Sequence, residues 1–189
     1  MGINFWRRRR DYWRNWVLDA IPPGAACAEI GVWKGDFSSQ ILRLARPAEL
    51  HLIDPWIFDG QFPTRWYGGA IARNQGDMDA TYEGVVRRLG TSPDVKVHRL
   101  RSLDAARLFA DRSLDWVYID GDHSTAAVEA DIRAWFPRIK AGGALVGDDY
   151  DWEDESRLKS VQAAVELACA ALDVQPERIS GGQYLIRVR

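Results

Sequence analysis

The sequence predicts an α/β domain with a doubly wound, mainly parallel sheet, closed by a C-terminal antiparallel hairpin and preceded by an N-terminal amphipathic helix. Three observations lead there. Apolar runs of strand length alternate with stretches of helical period. A glycine-bearing turn follows the first of those runs. Acidic residues (Asp54, Asp120, Asp148) stand where three of the predicted strands end.

Each element follows in order. Trp13, Trp16, Val17, Ala20 and Ile21 recur at helical spacing within residues 4–20, and Pro22-Pro23-Gly24 stops that helix. Residues 25–32 form an apolar run, residues 31–36 a turn, and Phe37, Ile41 and Leu44 stripe a helix ending before Pro47. Residues 50–53 are a short strand ending at Asp54. Residues 55–76 show no period but carry Trp56, Phe58, Phe62, Trp66 and Tyr67, so an aromatic loop or lid is expected. Met78, Tyr82, Val85 and Leu89 mark a helix, residues 95–98 a strand, and residues 102–110 a short helix. Residues 114–119 lead to Asp120, and Val128, Ile132, Trp135 and Ile139 outline a helix that Pro137 bends. Residues 144–147 follow Gly142-Gly143 and end at Asp148-Asp149. Val161, Val165, Ala168 and Leu172 stripe the last helix. Residues 174–179 and 183–188 flank Ser180-Gly181-Gly182 as a hairpin. No repeat or linker interrupts residues 1–189, so a single domain is expected.

With 25 Lys+Arg against 27 Asp+Glu, the net charge of -2 argues against a general nucleic-acid binder. The charge is uneven, with Arg7 to Arg10 at one end and an acid-rich stretch at 148–155 near the other. Cys27 and Cys169 form neither a redox pair nor a zinc spacing, and read as buried thiols. No apolar stretch approaches the roughly 20 residues of a bilayer span. The segment after Arg10 is charged and amphipathic, unlike a signal-peptide core. A cytoplasmic protein is expected.

The turn Glu29-Ile30-Gly31-Val32-Trp33-Lys34-Gly35 lacks the G-x-G-x-x-G spacing that seats a pyrophosphate on a helix N-terminus. It begins with a carboxylate, which suits a cationic ligand. S-adenosylmethionine carries both an ammonium and a sulfonium. Asp54 is placed to accept hydrogen bonds from two ribose hydroxyls.

The chain resembles a known family. AEIGVWKGDFS, HLIDPW, DWVYIDGDHS and GGALVGDDY occur in order. Together they look like the Rossmann-like class I S-adenosylmethionine-dependent methyltransferases of the small, macrocin O-methyltransferase-like branch. The resemblance implies that Glu29, Gly31 and Gly35 line the methionine part of the cofactor and that Asp54 holds the ribose. It further implies that Ser102 and Leu103 border the adenine, with Asp120 near the methionine end.

Asp120 and the pair Asp148-Asp149 end two strands that are neighbours in this fold, about 4.8 Å apart. Two bare carboxylates about 4 Å apart repel by on the order of 4 kcal/mol at an effective dielectric of 20. Protonation of one group, a basic side chain or a bound cation would relieve this; no Lys or Arg lies in the DGDH or GDDY segments, so a hard divalent ion, Mg²⁺, is the first expectation on Asp120, Asp148 and Asp149. The resemblance to metal-assisted O-methyltransferases agrees. Asp122 or His123 is the candidate general base, while His51 and His98 read as structural.

The leading expectation is therefore a metal-assisted O-methyltransferase acting on a hydroxyl of a small molecule or glycan. The alternatives are a metal-independent methyltransferase using His123 or Asp122, a nucleotide-binding oxidoreductase, and a catalytically silent binding module. Small-molecule or glycan substrate is the expected partner, with self-association as a homodimer a further one; no nucleic acid and no membrane span is expected. Arg7 to Arg10 could contact an anionic substrate or face solvent.

Overall fold

A computed structural model describes residues 14, 16–153 and 156–189. Seven strands form one sheet in the order β3-β2-β1-β4-β5-β7-β6. The strands are β1 (Ala26–Ile30), β2 (Glu49–Ile53), β3 (Val95–His98), β4 (Leu114–Ile119), β5 (Ile139–Gly147), β6 (Pro176–Ile179) and β7 (Gln183–Arg187). The first five pair in parallel. β7 runs antiparallel to β5 and to β6, so the expected hairpin closes the sheet.

The helices are α1 (Asp36–Leu44), α2 (Gln75–Arg88), α3 (Ser102–Ala106), α4 (Thr125–Trp135) and α5 (Ser160–Leu172). Side chains alternate across a strand, which divides the core. On β4, Trp116 and Tyr118 join Phe37, Ile41, Met78 and Val85 from α1 and α2 on one face. Val117 and Ile119 join Ile132, Trp135, Val161 and Val165 from α4 and α5 on the other. A parallel sheet buried on both faces needs near-continuous apolar strands, and Trp-Val-Tyr-Ile supplies one. Each fully buried side chain of this size contributes about 1.5–3 kcal/mol.

Several boundaries differ from those expected. β5 starts at Ile139 because Gly142-Gly143 does not end the strand but is absorbed where the β4–β5 register shifts between Leu114 and Trp116. α3 stops at Ala106, and Phe109 swings in to pack at 4.6 Å on His51 and 5.2 Å on Trp135. Pro137 ends α4 in a 3₁₀ turn, Phe136–Arg138. The aromatic loop contains a π-type turn, Trp66–Ala70, and gives way to α2 at Gln75, capped by the Asn74 side chain. Of the N-terminal helix, Arg14 and residues 16–18 are helical, and Val17, Leu18 and Ile21 pack on the sheet. Residues 4–13, with the Arg7 to Arg10 run, lie outside the described residues. Among the described residues no helix is long and apolar enough to cross a membrane.

Candidate active site

The carboxyl ends of β1, β2, β4 and β5 lie side by side, and backbone hydrogen bonds continue just past them. Gly31 donates to the Ile53 carbonyl at 2.9 Å, Asp120 to Ile30 at 2.8 Å, and Asp148 to Ile119 at 3.1 Å. The fit at Gly31 is tight. Its φ is +88°, and a Cβ there would stand 2.0 Å from the Asp120 carbonyl oxygen. Glycine is required at that point by both conformation and space.

Around this turn sit the residues expected to hold a cofactor. Asp54 accepts from the Trp33 amide at 2.9 Å and from the Trp56 amide at 2.7 Å. Burial raises its pKa to about 6, with those two amides and the Val32 amide pulling the other way. An ionised carboxylate has about four acceptor positions, so with three amides on it one remains for a hydroxyl. Trp33 and Trp56 both adopt positive φ, 52° and 44°, and the Trp56 indole donates to the Trp33 carbonyl. Such left-handed non-glycine residues cost energy and need support from their surroundings, here a clamp across Asp54.

Glu29 is 2% exposed and accepts from the Ser38 hydroxyl of α1. Burial pushes its carboxyl up to about 8 against the opposing pull of Ser38 and Arg14, so at neutral pH it is mostly protonated and not the charged partner for a cation that the sequence suggested. Gly35 caps α1 in the left-handed region. Ser102 accepts from the Trp135 indole at 2.9 Å, which ties its hydroxyl to the core, whereas Leu103 is 43% exposed.

The acidic end of the site is split in two. Arg14, 8% exposed, donates through Nε to Asp148 at 2.8 Å, and its guanidinium also pairs with both Asp148 and Asp120. It lies 5.1 Å from the Phe37 ring centroid. Burial opposes its charge, but Tyr118, Asp120 and Asp148 outweigh that and keep it ionised. Gln183 completes the shell, donating to Asp148 at 2.9 Å and to the Tyr118 hydroxyl at 3.0 Å. Asp148 is thus turned inward.

The second part faces the loops. His123 Nε2 lies 3.6 Å from Asp120 and 3.4 Å from Asp149. The ligating atoms of Asp120, His123 and Asp149 all lie within 4.8 Å of one another. Burial lowers the His123 pKa, but Asp120 and Asp149 more than compensate and leave it raised. The trio the structure assembles is therefore Asp120–His123–Asp149, with His123 where Asp148 was expected. Asp122 is exposed and accepts from the Ser124 amide at 2.8 Å, a local turn ahead of α4. It stands outside the trio.

Sequence reasoning missed Arg14, Gln183 and Ser38. A signal for Arg14 exists: it lies three and four residues before Val17 and Leu18, on the same helical face. A charge on an apolar stripe points to a buried acidic partner.

The sequence matches the family described as methyltransferase domain over residues 28–150. No curated protein matches it. Among solved structures, the chain is similar to a protein of Corynebacterium glutamicum (22% identity, 92% of this chain and 79% of that one, TM-score 0.61). It is similar to the O-methyltransferase NovP (16% identity, 100% and 81%, TM-score 0.64). A SAM-dependent methyltransferase from Aquifex aeolicus gives 12% identity, 92% and 87%, TM-score 0.58.

Proposed function

The chain belongs to the methyltransferase-domain family, and on that premise we propose that it moves the methyl group of S-adenosylmethionine to a hydroxyl of a small molecule or glycan. The observation that carries this reading is the meeting of Asp120, His123 and Asp149 beside the Gly31 turn. In it, Gly31, Gly35 and Glu29 border the methionine part of the cofactor, Asp54 accepts from the ribose, and Leu103 covers the adenine. The cofactor supplies an electrophilic methyl on a sulfonium. Where no metal occupies the trio, His123, held between two carboxylates, takes the proton of the attacking hydroxyl.

A divalent cation fits the donor set of Asp120, His123 and Asp149. It would lower the pKa of the acceptor hydroxyl and orient it. Mg²⁺ is the first expectation, and the imidazole donor also suits Mn²⁺. A second reading, without metal, is favoured by Arg14 itself, whose guanidinium already neutralises Asp120 and Asp148. His123 alone would then serve as base.

Transfer of radiolabelled methyl to a panel of hydroxylated acceptors, before and after chelation, separates the two. Loss of turnover in chelator with recovery on Mg²⁺ or Mn²⁺ is expected for the metal-assisted reading. Unchanged turnover in chelator would leave the metal-free one, in which the rate climbs with pH through a pKa raised above the ordinary histidine value by Asp120 and Asp149. His123→Gln should then abolish that inflection and cost about 10²–10⁴-fold.

A further inference from the structure

One guanidinium beside the site is left unused by that chemistry. Arg65 stands in the aromatic loop just before the π-type turn, its guanidinium carbon 4.6 Å from the centroid of the Trp152 ring. Trp152 in turn meets His123 edge-on at 5.4 Å. A single indole therefore separates the cation from the imidazole.

Stacking uses only the face of a guanidinium. Its five N–H donors lie in the plane and remain available. Among the described residues, none of the Arg65 donors meets a protein acceptor, and no carboxylate lies within ion-pairing distance of it. This sets Arg65 apart. The other described arginines that lie off the surface are Arg14, paired with Asp120 and Asp148, and Arg138, paired with Asp111. Unpaired arginines elsewhere, such as Arg43, Arg46 and Arg73, are exposed and hydrated. Partly burying a charge without a partner costs free energy, so an arrangement that holds one beside a reaction centre is suited to an incoming anion. Trp66 and Phe62, both about half exposed on the same loop as Arg65, offer flat faces for an aromatic ring.

We propose that Arg65 determines acceptor specificity by binding an oxyanion, a carboxylate or phosphate, carried on the acceptor away from the hydroxyl presented to His123. The proposal rests on the methyltransferase reading and deepens it: the acceptor is an anionic hydroxy compound. Two in-plane N–H groups match the paired oxygens of either anion.

The test uses the full chain loaded with S-adenosylhomocysteine and three calorimetric probes: 4-hydroxybenzoate, 4-hydroxyphenyl phosphate and the neutral 4-hydroxybenzamide. At least one anion is expected to bind about tenfold or more tightly than the amide, on the scale of a charge-assisted hydrogen bond. Which anion wins identifies the group recognised. Arg65→Gln should bring that anion to parity with the amide, and Arg65→Lys should keep part of the advantage. Parity in the unaltered protein, no detectable binding of any probe, or an advantage that survives Arg65→Gln would each overturn the proposal. Failure of S-adenosylhomocysteine itself to bind would remove the methyltransferase reading and this proposal with it. Normal S-adenosylhomocysteine binding with probe parity would remove the role of Arg65 alone.

Discussion

Gly31→Ala is expected to destabilise the protein by more than about 4 kcal/mol, the range reserved for disrupted cores and strained backbones. The added Cβ would stand 2.0 Å from a backbone oxygen of Asp120. That oxygen cannot retreat cheaply, because the Asp120 amide is held by the Ile30 carbonyl at 2.8 Å. β1 and β4 would have to part at the point where the site is built. Gly24→Ala is the matched control: its φ is +72° but nothing lies within 4 Å of its Cβ position. Conformational strain alone there should cost about 1–2 kcal/mol. Denaturant midpoints of the two variants make the comparison, and equal losses would show that close packing at Gly31 is not what the position requires.

Arg14→Met is expected to cost about 3–5 kcal/mol, the usual penalty for leaving a buried charge without its partner. Asp148 is 3% exposed and would keep only the Gln183 amide among the contacts described above. The thioether chain can still lie against Phe37, so lost packing is a small part of the effect. Adding Asp148→Asn to Arg14→Met should restore most of the stability, because a neutral amide needs no counter-charge. Urea unfolding of the single and double variants at pH 7 measures the coupling. Additive losses would mean that Arg14 and Asp148 do not act as a pair.

The contrast between these two positions shows what the chain revealed before folding. Gly31 was legible because a strand-length apolar run followed by Glu-x-Gly marks one kind of turn. β3 and β4 were readable to the residue because Pro, Gly and polar clusters bracket them. The Gly31 turn, lacking G-x-G-x-x-G, counted against the dinucleotide-binding alternative, and the match to a methyltransferase domain over residues 28–150 agrees. The carboxylate cluster was legible only in part. Asp120 and Asp149 stand just past their strands as expected, but β5 ends at Gly147 and Asp149 takes a left-handed φ of 58°, which sends the two neighbouring carboxylates to different sides. One member of the Asp148-Asp149 pair therefore had to turn inward, and the sequence did not say which. The inward site is completed by Arg14 and Gln183, 134 and 35 residues from Asp148 along the chain, a distance no local pattern spans. α3 failed for a related reason: Phe109 gains more against His51 and Trp135 than another helical turn would provide. Arg65 and Trp152 fall in two irregular segments, so their stacking could be seen only in the folded protein.

The strand ends are expected to bind S-adenosylmethionine or its product. Calorimetric titration with S-adenosylhomocysteine and, in parallel, with NAD tests this most directly, using the unaltered protein and Asp54→Ala. Binding of S-adenosylhomocysteine in the micromolar range, roughly −8 kcal/mol, is expected. Asp54→Ala should weaken it by about 1.5–3 kcal/mol, the contribution of hydrogen bonds to a charged acceptor, while NAD gives no heat with either protein. Clear binding of NAD, with none of S-adenosylhomocysteine, would contradict the account.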